Sequence, residues 1–136
     1  MSNDPRHLER PDCTPSIRTV ADIFHDVRRC GGATGSTCAG LAADEDGRTV
    51  QIALWVGTDD RVIAARWRAS TCPSLIAYAE TACALLEAGI APVDLERAAL
   101  RAAVAGVHPA HRRHADLVLD AVHDALAKRE LSPSQP

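Results

Sequence analysis

The chain changes its period abruptly between Ser70 and Ser74. Before that point, Thr49–Val56 (Thr-Val-Gln-Ile-Ala-Leu-Trp-Val) and Arg61–Arg68 are rich in β-branched and aromatic residues. Gly57-Thr58-Asp59-Asp60 separates them, which is the pattern of a β-hairpin. After it, Leu75–Leu86 is built from helix formers. Pro73 suits the first helical position, where a backbone N–H is not needed.

The remaining segments fit the same plan. Ser16 is placed to cap a helix through Val27, with Ile17, Val20, Ile23, Phe24 and Val27 at spacings of three and four. Cys30 would end that helix and Gly31-Gly32 would stop it. Gly35–Gly40 is a short strand candidate, and Asp44-Glu45-Asp46-Gly47 is a turn. Helices are expected at about 74–88, 95–105 and 112–129, with Asp94 able to cap the second. Gly89 and Gly106 lie just past the first two, where glycines are favoured. The expected class is α+β: a small antiparallel three-stranded sheet with helices packed on one face. Residues 1–15, with Pro5, Pro11 and Pro15, and residues 132–136 are expected as flexible tails around a single domain, 16–131.

A chain of 136 residues fits one domain that can bury a core without staples. Hydrophobic residues make up 46%, which is not a disordered composition. Only 3% are aromatic, so the core must be mostly Ala, Leu, Val and Ile. A formal charge of −3 offers no electrostatic case for nucleic acid or an anionic membrane. No apolar run is long enough to span a bilayer, and the N-terminus has no signal-peptide core. The expected location is the cytoplasm. Five cysteines, an odd number without a Cys-x-x-Cys, read as thiols or ligands in a reducing compartment. Cys13 falls in the N-terminal tail as a bystander, while Cys38 and Cys83 read as core filling.

The residue with most chemical content is Cys72. Pro73 would put its sulfur at a helix N-terminus, where free N–H groups and the helix dipole favour a thiolate. The alternative is a buried, inert cysteine. Antiparallel pairing puts the start of Thr49–Val56 beside the end of Arg61–Arg68. The acidic turn Asp44-Glu45-Asp46 and Cys72 therefore fall at the same end of the sheet, unless the turn is simply a solvated one. His108, His111 and His114 are spaced by three. His114 leads an apolar stripe through Val118, Ala121, Val122 and Ala125, so it is expected to point inward. An inward histidine is also compatible with a satisfied core residue, and His108 and His111 with surface positions.

These residues together resemble a known family. Asp22–Gly31 resembles the early segment of the IscU/NifU-type iron–sulfur cluster assembly scaffolds. Gly35-Ser36-Thr37-Cys38-Ala39-Gly40-Leu41-Ala42-Ala43-Asp44-Glu45-Asp46 resembles their Gly-Ser-Gly-x-x-Gly-x-x-x-Cys-Gly-Asp, without a gap. Val50-Gln51-Ile52 falls on their Leu-Gln-Ile, and Ile63–Arg68 loosely on the following strand. Thr71-Cys72-Pro73-Ser74-Leu75-Ile76-Ala77 resembles their Gly-Cys-Gly-Ser-Ala-Ile-Ala. Val107–Val122 resembles their Leu-Pro-Pro-Val-Lys-Leu-His-Cys segment and the helix after it. The resemblance extends from about Val20 to Ala127 and includes the zinc-binding SufU branch.

Carried over position by position, the resemblance puts Asp44 in place of the family's first cysteine and keeps its aspartate as Asp46. It keeps the second cysteine as Cys72, replaces the third by His114, and has Arg113 for the family histidine. One thiolate remains, with two carboxylates and an imidazole. That is a harder donor set, suited to Zn²⁺ or Fe²⁺ rather than a stored cluster. The resemblance implies a divergent cluster-assembly scaffold that binds a metal ion at Asp44, Asp46, Cys72 and His114, or accepts sulfur at Cys72, or both. Arg113 would favour the anionic sulfur by charge. A cysteine desulfurase and iron–sulfur client proteins are the implied partners. The family's chaperone-docking Leu-Pro-Pro-Val-Lys is replaced here by Val107-His108-Pro109-Ala110-His111. Other readings are a zinc-dependent sulfurtransferase partner of a desulfurase, a thiol redox protein in which Cys38 resolves Cys72, and a binding module that kept the fold without the chemistry.

Overall fold

In a computed structural model, which describes residues 17–131, the elements run β1 (Arg18–Thr19), α1 (Val20–Phe24), β2 (Cys38–Ala43), β3 (Thr49–Val56) and β4 (Val62–Ala69). They continue with α2 (Pro73–Glu87), α3 (Arg97–Ala103), β5 (Val104–Ala105) and α4 (His114–Leu131). The segments expected as tails, with Cys13, and the expected cap Ser16 lie outside the described residues. Among the described residues the class is α+β: a three-stranded antiparallel sheet in the order β2-β3-β4, four α-helices, and a two-stranded parallel pair of β1 with β5.

The hairpin forms as its pattern dictates. Ile52 faces Trp67 and Leu54 faces Ala65 across β3 and β4, while Gly40 faces Ile52 and Cys38 faces Leu54 across β2 and β3. The period of two therefore places Val50, Ile52, Leu54, Ala65 and Trp67 on one face, and all five are buried. Helix α2 covers this face over β4 and α4 covers it over β2 and β3. Their inward residues, Leu75, Ala79, Ala82 and Leu86 from α2 and Val118, Ala121, Val122 and Ala125 from α4, are small or aliphatic, as the scarcity of aromatics requires.

Gly40 allows α4 its close approach. A Cβ built there would overlap the Ala121 carbonyl oxygen and the Ala125 amide nitrogen and stand 2.9 Å from the Ala125 Cα. The expected strand Gly35–Gly40 is accordingly displaced: β2 begins at Cys38 and continues through Gly40 to Ala43.

Three other expectations are corrected. The first helix spans only Val20–Phe24 and is capped by Thr19, whose hydroxyl accepts from the Asp22 N–H at 3.1 Å. The residues on both sides have been taken by β pairing. Arg18 and Thr19 pair with Val104 and Ala105, and Cys30 lies in an extended segment beside Trp67 rather than at a helix end. There the Trp67 N–H donates to the Arg29 carbonyl and the Gly31 N–H to the Trp67 carbonyl, both at 2.9 Å. Beneath this segment, the buried Glu80 accepts from the Arg29 N–H, the Arg29 guanidinium and the Trp67 indole at 2.8–3.0 Å. The second correction is that Asp94 lies in a 3-10 turn, Pro92–Asp94. Glu96 stands at the N-cap of α3 and makes no side-chain cap. The third is that the expected helix 95–105 is shortened, Val104–Ala105 leaving α3 as β5, and the expected helix 112–129 is shifted: α4 follows a 3-10 turn, Pro109–His111, and runs His114–Leu131. Among the described residues, no helix is long and apolar enough to cross a membrane.

Candidate functional site

Cys72 is the N-cap of α2, with extended backbone (φ −145°, ψ 114°), and Pro73 occupies the first turn. The residue is 9% exposed. Burial works against ionising its thiol. Hydrogen bonds outweigh it and bring the thiol below its ordinary value of 9.0: from the Ser74 hydroxyl, the Leu75 N–H, the Arg48 guanidinium and the Ser74 N–H. The sulfur is thus more readily ionised than a free thiol, through a helix start and a nearby arginine.

His114, the first residue of α4, is 1% exposed, as its place on the apolar stripe predicts. Its Nδ1 lies 3.0 Å from Ser74 Oγ and 3.7 Å from Cys72 Sγ. Its Nε2 is buried and has no hydrogen-bond partner. Burial holds the imidazole below its ordinary value, and the charges of Arg48, His111 and Arg113 add to this against the opposing pull of Asp44. The ring is therefore neutral at neutral pH. The His111 ring stacks on it, with centroids 5.1 Å apart.

The acidic turn reaches this end of the sheet, as connectivity required. Asp44 Oδ1 accepts from the Asp46 and Arg48 N–H groups, both at 2.9 Å, which closes the turn. Asp44 Oδ2 is buried and without a hydrogen-bond partner. Burial raises this carboxyl, but the two N–H groups and the nearby arginines prevail and hold it below the usual carboxylate value. Asp46 stands apart: its exposed carboxylate pairs with Arg113 at 2.9 Å and Arg48 at 3.1 Å. Arg113, expected to favour the anionic sulfur, is directed to Asp46, and Arg48 is the arginine that helps lower the Cys72 thiol.

The fold gathers Asp44, Cys72 and His114 at one end of the sheet and leaves Asp46 on the rim. As they stand, the four donors do not enclose a single point. Among the described residues no group of three or more His, Cys, Asp or Glu side chains is arranged to hold a metal ion. Two donor types that zinc accepts have buried atoms without a hydrogen bond: His114 Nε2, and Asp44 Oδ2, which lies 3.8 Å from Arg48 Nη1 in an ion pair.

Cys38 stays out of the site. It begins β2 opposite Leu54, whereas Ala43 at the other end faces Thr49. At strand rise, Asp44 is about 20 Å away along the strand. Burial pushes the Cys38 thiol up, as it does that of Cys83, and both read as core.

Ser74 and Arg48 are the site residues that the sequence reading passed over. Both were within its reach. Ser74 lies in the first turn after Cys72, and Arg48 enters β3 at the same sheet end as Asp44. Neither the models of known protein families nor the curated protein sequences give a match to this chain.

Proposed function

We propose that this protein is a divergent relative of the iron–sulfur cluster assembly scaffolds, acting in the cytoplasm, and that Cys72 accepts sulfur as a persulfide. The observation that supports this reading is the setting of the Cys72 sulfur: at the N-cap of α2, 3.5 Å from the Ser74 hydroxyl and 3.7 Å from His114 Nδ1, within a set of hydrogen-bond donors and an Arg48 charge that lower the thiol. Such a set stabilises an anion on sulfur, either a thiolate before transfer or a persulfide after it. In the step, the Cys72 thiolate attacks the outer sulfur of a persulfide on a cysteine desulfurase. The donor's S–S bond breaks, a new S–S bond forms on Cys72, and the donor cysteine leaves as a thiolate with the electron pair. Iron–sulfur client proteins would be the destination of that sulfur. The chain serves here as a carrier and not as an enzyme in its own right.

The test is incubation with a cysteine desulfurase and cysteine, followed by mass analysis under non-reducing conditions. Cys72 is expected to gain the mass of one sulfur atom, and Cys72→Ser to gain none at that position. Sulfur found on Cys30 or Cys13 but not on Cys72 would refute the reading.

A second reading, a single Zn²⁺ or Fe²⁺ ion held by Asp44, Cys72 and His114, is favoured by one observation: Asp44 Oδ2 and His114 Nε2 are buried without a hydrogen bond, Asp44 Oδ2 having only the Arg48 guanidinium 3.8 Å away. Asp46 would join only by leaving Arg48 and Arg113. Metal affinity measured by competition with a chromophoric chelator tests it. Asp44→Ala and His114→Ala should each weaken binding, and an affinity indifferent to both would end it. A protein that takes neither sulfur nor metal would be a binding module on the same fold.

A further inference from the structure

A second concavity is lined by Tyr78 of α2, Arg101 of α3, Arg112 and the stretch Val104–Val107, with a volume of about 380 Å³. That lies in the range of small-molecule sites, about 300–1,000 Å³. Tyr78 is 1% exposed, yet its hydroxyl has no hydrogen-bond partner among the described residues. A buried tyrosine ordinarily finds one. Arg112 is exposed and its guanidinium is likewise unpaired among the described residues. Arg101 is held in place, donating to the Arg112 carbonyl at 3.2 Å and pairing with Asp116 at 3.4 Å. No acidic side chain lines the cavity. Burial raises the Tyr78 phenol, the charges of Arg101 and Arg112 pull against it, and the Asp116 carboxylate adds to the rise. On a chain of net charge −3, this concavity is lined by Arg112, with no ion pair among the described residues, by Arg101, paired with Asp116, and by Tyr78.

We propose that this cavity binds a small oxyanion, the carboxylate or phosphate of a metabolite-sized ligand, with Arg112 and Arg101 as cationic donors and the Tyr78 hydroxyl as the neutral one. Two guanidiniums match the planar or tetrahedral oxygens of such a group. The site is independent of Cys72 and of the sulfur-transfer reading.

Tyr78 is the chain's single tyrosine, so its ring resonances report on the cavity without assignment ambiguity. The full chain is titrated at low ionic strength with inorganic phosphate in one arm and citrate in another, and the stronger arm identifies the oxyanion class. A saturable shift of the Tyr78 ring signals is expected with at least one probe. Arg112→Gln should weaken binding about tenfold, the order lost with one charge-assisted hydrogen bond. Tyr78→Phe, followed by calorimetry, should weaken it about threefold or more. Arg61→Gln, on the exposed hairpin turn, is the charge-matched control and should bind as the parent does. Arg112 is exposed, so its variant tests the site without a burden on folding. Shifts that rise linearly without saturation, an Arg112→Gln affinity equal to the parent's, or an equal loss in Arg61→Gln would each overturn the proposal.

Discussion

Adding one methyl group at Gly40 tests how α4 is seated. The new Cβ of Gly40→Ala would collide with backbone atoms of Ala121 and Ala125, not with the end of a side chain that can swing aside. Overpacking of a core costs roughly 1–3 kcal/mol, and an immovable backbone neighbour puts this case at the upper end, about 3 kcal/mol. For a domain of this size that lowers Tm by about 12 °C, at roughly 4 °C per kcal/mol. Gly47→Ala is the control. Its φ of +86° disfavours a side chain, but nothing lies within 4 Å of its Cβ. Its cost is about 1 kcal/mol from the left-handed backbone, partly offset by a less flexible unfolded chain. Thermal unfolding by circular dichroism compares the two. Because α4 carries His114, a displaced helix should also weaken the His114–Ser74 contact, seen as a change in the Cys72 alkylation profile. A Gly40→Ala protein no less stable than Gly47→Ala would refute the close seating of α4 on β2.

Other outcomes follow from the charges. Iodoacetamide alkylation of Cys72, followed by peptide mass mapping, should reach half its limiting rate below pH 9.0. Arg48→Gln and Ser74→Ala should each move that midpoint upward, because each removes a donor from the sulfur. An unchanged midpoint in both would remove the assigned stabilisers. Glu87 ionises below its ordinary 4.5: burial opposes this, but the Ala65 N–H and the guanidiniums of Arg29 and Arg66 prevail. Its folded value is depressed, so its contribution is full above pH 4.5 and is lost as pH falls through the folded value. Urea midpoints from pH 7 to pH 3 should therefore drop more steeply for the parent than for Glu87→Gln. Parallel curves would contradict this.

The parts of the fold that sequence patterning made legible are those whose signal is local. Thr49–Val56 has alternation and a turn beside it, and forms with those bounds. Pro73 marks the start of α2, and the stripe from His114 to Ala125 places the imidazole inside. The misplaced parts are those decided by distant partners. Ile17–Val27 has helical spacing, but β pairing at Arg18–Thr19 and the run beside Trp67 leave only five residues in a helix. Val104–Ala105 leaves α3 for the same reason. In the site, sheet connectivity placed the acidic turn and Cys72 at one end, and the apolar stripe turned His114 inward. No sequence pattern shows that Asp46 is claimed by two arginines, since that depends on Arg113 reaching across from α4's approach to the turn.

The pairing of Arg18–Thr19 with Val104–Ala105 also bears on the order of assembly. The β3–β4 hairpin closes through a short turn and costs little chain entropy. The parallel pair joins segments separated by most of the described chain, from Arg18 to Val104, and it contains only two residues on each side. It cannot nucleate anything, because so short a contact does not compensate so long a closure. It acts as a clip set on a finished structure, fastening Arg18–Thr19 to the stretch that walls the Tyr78 cavity.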